Sequence, residues 1–355
     1  MIIGARFPGR YLQGPGIVAR LGAELAGFGD RAVIVLDRGV YDLLAGTLRG
    51  ACDGHLTVEL IRHGGECSKE EIAAVAASAR SAGARVVLGV GGGKALDTAK
   101  AAAHEAGAAC VVMPTIAASD APCSALAVVY KPDGSVDHDY FLPRNPDLVI
   151  VDTEIVARAP ARFLAAGIGD ALATYYEAEA CRRSGALNCL GVRGVPLAYE
   201  IARLCRDTVF EFGVAALAEC DAKVPGPAFE RIIEANILLS GLGFESGGVA
   251  GAHAIHHGLS ELEEVHHHLH GEKVAIGVLA ELKLQGVPEA EYRRVRDFCA
   301  AVRLPTRLRD IGIIDATEAK LRIVAERACR PGEIMHNEAT PMTAEMVVRV
   351  LRELV

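Results

Sequence analysis

A chain of 355 residues is long for one hydrophobic core and leads us to expect two domains. Its net charge of −8 argues against nucleic acid as a main partner. Although 51% of its residues are hydrophobic, no uninterrupted apolar run reaches the length of about 18 that a membrane span needs.

The start, MIIGARFPGRY, enters apolar residues without a charged leader, which argues against secretion. Up to about residue 150 short β-branched runs alternate with Ala-rich stretches. AVIVL (32–36), LTVEL (56–60), RVVLGV (85–90), ACVVM (109–113) and LVIVD (148–152) read as buried strands. SKEEIAAVAASARSAG (68–83) opens with a capping box, Ser68 and Glu71, and carries a helical apolar stripe. Alternation of this kind implies a parallel sheet covered on both faces. SALAVVYKPDGSVDHDYFLP (124–143) has two extended runs around the turn signal PDG, and so predicts a β-hairpin inserted before the last strand. From about residue 160 the apolar period is helical nearly throughout, with breaks at VPGP (224–227), GFESGG (243–248) and RPGE (331–334). We expect an α/β nucleotide-binding domain over residues 1–158 and an all-helical domain over 159–355, with a cleft between them.

Ten cysteines include no CxxC pair, and most lie among Ala, Leu and Val, where a free thiol behaves as a small hydrophobe. They predict reduced thiols in a cytoplasmic protein.

GVGGGKALDTAK (89–100) follows a predicted strand and opens a predicted helix. Gly92 and Gly93 would let backbone N–H groups approach a pyrophosphate, with Lys94 and Asp97 beside it. The run is neither GxGxxG nor a Walker A sequence, and tight packing of a strand–helix turn is an alternative. Asp37 closes AVIVLD, where a carboxylate can meet a ribose hydroxyl or simply end a strand. PTIAASDAPCSALAVVY (114–130) is a loop of small polar residues, and Thr115, Ser119, Asp120 and Ser124 are candidates to line a cleft.

Seven of the twelve histidines fall between His253 and His270. With Asp170, in GIGDALATYYEA, they offer ligands from separate segments, as a zinc or iron site requires. They cannot all hold one ion, and a merely solvated cluster is the alternative. His55, His63, His104 and His138 read as isolated structural residues.

In order along the chain, GGGKALDTAK, PTIAASDAPCSAL, GIGDALATYYEA, ANILLSGLGFESGG, AHAIHHG…HLHGEKVA and MHNEATPMT resemble the glycerol dehydrogenase family of the group III, iron-containing-type alcohol dehydrogenases. The resemblance implies a Rossmann-like nucleotide-binding domain followed by a helical one. It also implies metal ligands Asp170, His253 and His270, with zinc rather than iron, and Thr174 where iron-type relatives carry an additional histidine. Asp37, Gly93, Lys94, Thr115, Ser124, Leu126 and Tyr130 would contact NAD, and Asp120 would meet substrate hydroxyls. Cys123 stands where the family commonly has Thr, and His257 where many members have Asn, so we expect a small change in the cleft and a question over substrate range. The implied activity is reversible, NAD- and metal-dependent oxidation of glycerol or a related vicinal diol by a homo-oligomer, often an octamer. Alternatives are a lyase or cyclase of the dehydroquinate synthase type, or a dehydrogenase for another small polyol or aldehyde. The near absence of Arg and Lys from the cleft motifs, apart from Lys94 and Lys273, disfavours a phosphorylated substrate.

Overall fold

The structure is a computed structural model that describes residues 2–132 and 134–355. Among the described residues ten strands run in chain order: β1 (Ile3–Gly4), β2 (Tyr11–Gly14), β3 (Arg31–Leu36), β4 (Thr57–Arg62), β5 (Val86–Gly91), β6 (Ala109–Pro114), β7 (Leu126–Tyr130), β8 (Val136–Phe141), β9 (Leu148–Asp152) and β10 (Arg193–Gly194). In the first half they alternate with α1 (Leu21–Ala26), α2 (Tyr41–Cys52), α3 (Lys69–Ser81), α4 (Gly93–Ala106) and α5 (Thr153–Arg158). Beyond these, α6 (Ala161–Ser184), α7 (Pro196–Asp221), α8 (Pro227–Ile233), α9 (Ser240–Gly247), α10 (Gly251–Leu259), α11 (His270–Gln285), α12 (Glu289–Ala301), α13 (Glu318–Ala328) and α14 (Ala344–Arg352) form a helical assembly.

Six strands make one parallel sheet in the order β2-β9-β6-β5-β3-β4. The period-two alternation of β3 splits its side chains between two cores. Ile34 and Leu36 pack with α1 and α2. Val33 and Val35 join the cluster that includes α3 and α4 and continues into the helices beyond residue 160. Both sheet faces are therefore buried, which is why these strands read as apolar runs. β7 and β8 pair antiparallel between β6 and β9 in the chain, as the sequence predicts. Of their expected PDG turn, Asp133 lies outside the described residues.

Three details depart from the sequence reading. β2 is an edge strand paired with β9; its segment YLQG is short and half-buried, so it carries no apolar signal. Ser68 does cap α3, accepting from the Glu71 N–H at 3.2 Å, but the Glu71 carboxylate turns to the Gly64 N–H, so the capping box is half formed. GFESGG is mostly not a break, because α9 continues to Gly247. Its glycines serve close approach: a Cβ on Gly243 would lie 2.5 Å from the Thr174 methyl of α6.

A turn of π-helix, Glu234–Leu239, joins α8 to α9 without a break. The N-terminal segment ties the two regions together. β1 pairs with β10, and Arg6 pairs at 3.1 Å with the buried Glu245, which also accepts the Ala125 N–H at 2.9 Å. All ten cysteines are free thiols. Among the described residues no helix is long and apolar enough to cross a membrane.

Candidate active site

β4 lies outside β3 on one side of the sheet and β6 outside β5 on the other, so the strand order reverses between β3 and β5. Open α/β sheets bind ligands at the strand carboxyl ends beside such a point. Asp37 and the glycine turn both lie there. The Asp37 N–H donates to the Val90 carbonyl at 2.8 Å, and its carboxylate accepts the Gly39 N–H at 2.8 Å. A Cβ on Gly91 (φ +149°) would meet the Asp37 Cβ at 2.4 Å, so the strand ends come this close only over a glycine. Gly92 caps α4 and Gly93 opens it. Beside Gly93 the space is open: an added Cβ would meet nothing nearer than Ala121 at 4.0 Å. The Ala95 and Leu96 N–H groups close back on the Gly92 carbonyl, and the N–H groups ahead of them form the positive end of the helix, a seat for an anion.

The remaining nucleotide candidates divide. Thr115 is buried, and its N–H donates to the Gly91 carbonyl at 3.0 Å. Lys94 reaches sideways, pairing with Glu66 at 2.6 Å and lying 4.8 Å from the Tyr130 ring centroid. Leu126 is half-buried at the start of β7. Ser124 is buried, its hydroxyl donating to the Ala121 carbonyl at 3.3 Å. Asp97 is engaged elsewhere: buried on α4, it takes Lys100 Nζ at 2.8 Å and the Val128 N–H at 3.0 Å, so its visible partners are not those of the glycine turn.

At the other end of the cleft Asp170, His253 and His270 converge from α6, α10 and α11, with one ligand atom from each within 4.8 Å of the others. His270 Nε2 lies 3.0 Å and His253 Nε2 3.4 Å from the same Asp170 oxygen. Both imidazoles thus present Nε2, and each is fixed from behind. His253 Nδ1 meets Glu177 at 2.6 Å, and His270 Nδ1 meets His256 Nε2 at 3.2 Å. Imidazole metal ligands are typically oriented through their second nitrogen in this way.

Electrostatics favour a cation here. Burial raises the Asp170 carboxyl, but His270 and His253 outweigh it and hold it far below the usual carboxylate range. Asp120 is pushed well above that range, first by burial and then by the neighbouring Asp170 charge. Two carboxylates sharing a buried pocket with two imidazoles repel each other, and a divalent ion relieves the repulsion. The residues fit such an ion.

Glu177 was not singled out in the sequence, although it stands in GIGDALATYYEA seven residues after Asp170. Two helical turns place both on one face, which is the signal that would have found it. It is fully buried and also accepts the N–H groups of Ala250 at 2.9 Å and His253 at 2.8 Å, anchoring the start of α10. Ser240 was missed too; it stands among small and apolar residues at the start of α9, and its hydroxyl donates to Asp120 at 2.7 Å.

The other histidines stand apart. His257 meets Glu333 at 3.1 Å, His266 the Ser260 carbonyl at 3.1 Å, and His268 meets Glu272 at 3.2 Å. His267 packs its ring against His268 at 4.3 Å between centroids. Cys123 does not alter the cleft: it is fully buried, and Gly241 leaves room for it, since a Cβ there would come within 2.7 Å of its own. Burial raises its thiol pKa, so it is inert.

The two ends are joined by one short loop. Thr115 bonds the glycine turn, and five residues later the Asp120 N–H donates to Asp170 at 3.2 Å. The arrangement can hold a dinucleotide and a divalent ion on either side of a small polar ligand.

Comparison with known proteins places the chain among relatives of one family. Residues 8–153 match the model of the iron-containing alcohol dehydrogenase family. Glycerol dehydrogenase of Thermotoga maritima is 50% identical over 99% of this chain and 96% of its own length. A glycolaldehyde reductase of Halobacterium salinarum is 42% identical over 96% of this chain and 93% of its own. The crystal structure of a probable glycerol dehydrogenase from Sinorhizobium meliloti superposes with a TM-score of 0.94 at 44% identity, covering 99% of this chain and 98% of that one.

Proposed function

This chain belongs to the iron-containing alcohol dehydrogenase family, in its glycerol dehydrogenase group, and on that premise we propose that it oxidises glycerol reversibly to dihydroxyacetone with NAD and a divalent metal ion. The observation that carries the reading is the convergence of Asp170, His253 and His270 beside Asp120, one short loop from the glycine turn. When bound, the ion supplies Lewis acidity that lowers the pKa of a nearby substrate hydroxyl, and the nicotinamide supplies the hydride acceptor.

The chain's own residues do the rest. Asp170, His253 and His270 hold the ion, with Glu177 and His256 fixing which imidazole nitrogen faces it. Two imidazoles and one carboxylate would suit zinc and iron(II) alike. Zinc is the proposed metal on the resemblance to glycerol dehydrogenases, and elemental analysis of the native protein tests it. Asp120 accepts a hydrogen bond from a substrate hydroxyl and orients the polyol. Gly92, Gly93 and the start of α4 hold the pyrophosphate, Thr115, Ser124, Leu126, Tyr130 and Lys94 flank the rest of the dinucleotide, and Asp37 faces a ribose hydroxyl. A 2′-phosphate would meet the Asp37 carboxylate. Arg38, beside it, donates to the Gly64 carbonyl at 3.2 Å but keeps its charge, so it blunts this repulsion without removing it. NAD is accordingly preferred over NADP. A cytoplasmic homo-oligomer, octameric as in the family, completes the proposal, and light scattering measures its size.

The test is reduced-cofactor formation from a panel of small diols with NAD and with NADP, and the reverse reaction with dihydroxyacetone and glycolaldehyde. Glycerol with NAD is expected to give the highest kcat/KM. Comparable kcat/KM with both cofactors would sink the cofactor assignment. A strong preference for glycolaldehyde would move the substrate to the aldehyde side, the direction in which the Halobacterium relative is named.

A further inference from the structure

The buried face of Asp120 is held by two hydroxyls from separate helices. Ser240, fully buried, donates to Asp120 Oδ2 at 2.7 Å, and Thr174, 1% exposed, lies 2.7 Å from the same Ser240 hydroxyl. When a bound cation keeps Asp120 ionised, the carboxylate only accepts, so the single Ser240 proton goes to Asp120 and Thr174 donates to Ser240. In that state the chain runs from Thr174 to Ser240 to Asp120.

Several features bring Ser240 there. It is the first residue of α9, immediately after the π turn, whose wider winding changes the direction of the side chains that follow. Within that turn Asn236 donates to the Ala117 carbonyl at 3.1 Å and to the Leu164 carbonyl at 3.2 Å, fastening the Asp120 loop to α6. Gly241 and Gly243 then let α9 press on both. Added Cβ atoms would lie 3.2 Å from the Asp120 carbonyl oxygen and 2.5 Å from the Thr174 methyl, respectively.

We propose that Ser240, oriented by Thr174, is a positioning residue for polyol recognition: it fixes Oδ2 of Asp120 and so aims Oδ1 at a substrate hydroxyl. This rests on the reading of Asp120 as the group that contacts the polyol. It adds a specificity element from α6 and α9 to a loop that is otherwise read as working alone. Two buried hydroxyls that merely satisfied each other would affect stability and leave glycerol recognition unchanged.

The experiment compares Ser240→Ala, Thr174→Val, Thr174→Ser and Asp120→Asn in the full-length, metal-loaded enzyme. It reads KM for glycerol, KM for NAD, kcat, metal content, and glycerol affinity in the non-reacting complex with NADH by calorimetry. Ser240→Ala is expected to weaken glycerol affinity and raise its KM about tenfold, the scale of a lost hydrogen bond to a charged group. KM for NAD and metal content stay at wild-type values. Thr174→Val raises the glycerol KM about threefold, and Thr174→Ser, which keeps the hydroxyl, restores it. Wild-type glycerol affinity in Ser240→Ala, beside a weakened Asp120→Asn, overturns the inference and leaves the function standing. So does a Thr174→Ser variant that behaves as Thr174→Val, which also decides the matter if Ser240→Ala fails to fold. Unchanged glycerol parameters in Asp120→Asn overturn the assignment of Asp120 itself.

Discussion

The two ends of the cleft are built on opposite principles. At the nucleotide end the groups that matter are backbone N–H donors and the absence of side chains: Gly91 has no room for a Cβ, and beside Gly93 the space is open. At the metal end most of the positioning is of side chain by side chain: Asp170 by His270, His253 by Glu177, His270 by His256, and Asp120 by Ser240. A backbone cradle needs only a strand and a helix to exist, whereas a side-chain nest depends on each member of its web. The first should survive loss of the second.

The largest expected effect breaks the ends apart. Asp170→Asn, His253→Ala and His270→Ala should each abolish turnover and lower metal content, while NAD binding, followed by fluorescence titration, stays near wild type. His266→Ala, His267→Ala and His268→Ala should keep about one ion per chain, since none faces Asp170. Full metal in His270→Ala with loss in His266→Ala would show that the ligand set is misassigned. Loss of NAD binding along with the metal would sink the claimed independence of the two ends.

How much was legible in the sequence follows the same division. The sheet strands are continuous apolar runs because both faces are buried, and the glycine turn is visible because its residue type is its function. The fold class and the α/β-then-helical order were therefore readable. The metal end was readable only where residue type is rare: an aspartate among small residues and a histidine cluster. Which histidines converge depends on helix packing, and the spacing alone left the choice open; the family resemblance supplied it. Glu177 and Ser240 escaped because a carboxylate two turns along a helix and a serine among glycines look ordinary until α10 and the Asp120 loop are packed against them. Asp97 shows the converse, since a residue inside a glycine motif can be buried and paired with Lys100.

A second effect measures how far the metal end leans on its web. Glu177→Gln keeps the shape and the burial but weakens the acceptor behind His253 Nδ1. Metal affinity should fall about 10–100-fold, the usual scale for the group behind an imidazole ligand, with NAD affinity unchanged. Competition with a chelator reads it. An affinity equal to wild type would mean that the His253 orientation is set by packing alone.

At the nucleotide end the corresponding change is milder, because it removes one side chain among several that flank the dinucleotide. Asp37→Ser should narrow the NAD-over-NADP ratio of kcat/KM about tenfold, mainly through a higher KM for NAD. The metal content should not move. A ratio unchanged in Asp37→Ser would place the discrimination elsewhere than at the end of β3.

The smallest effect lies behind the metal end and tests how deep its charge web runs. Glu281 of α11 is fully buried, accepts from Gln285 at 3.0 Å, and faces Glu338, Glu177 and the backbone at Ala252. Glu338 in turn accepts the Gly251 N–H at 3.2 Å at the start of α10. Burial first, and then the charges of Glu338 and Glu177, push the Glu281 carboxyl well above its ordinary value, and burial raises Glu338 as well. A carboxyl with a raised native pKa holds its proton in the folded state longer than in the unfolded chain. Its contribution to stability is complete below the ordinary glutamate value and is lost as the pH climbs through the raised one. The wild-type melting temperature should therefore carry a downward component, absent from Glu281→Gln, as the pH rises above the ordinary glutamate range, because the amide cannot ionise and can still donate to Glu338. Groups elsewhere titrate equally in both proteins, so the difference between the two melting curves isolates this pair. Parallel curves above that range would mean that Glu281 and Glu338 are already ionised in the folded protein, and that the web behind α10 ends at Glu177.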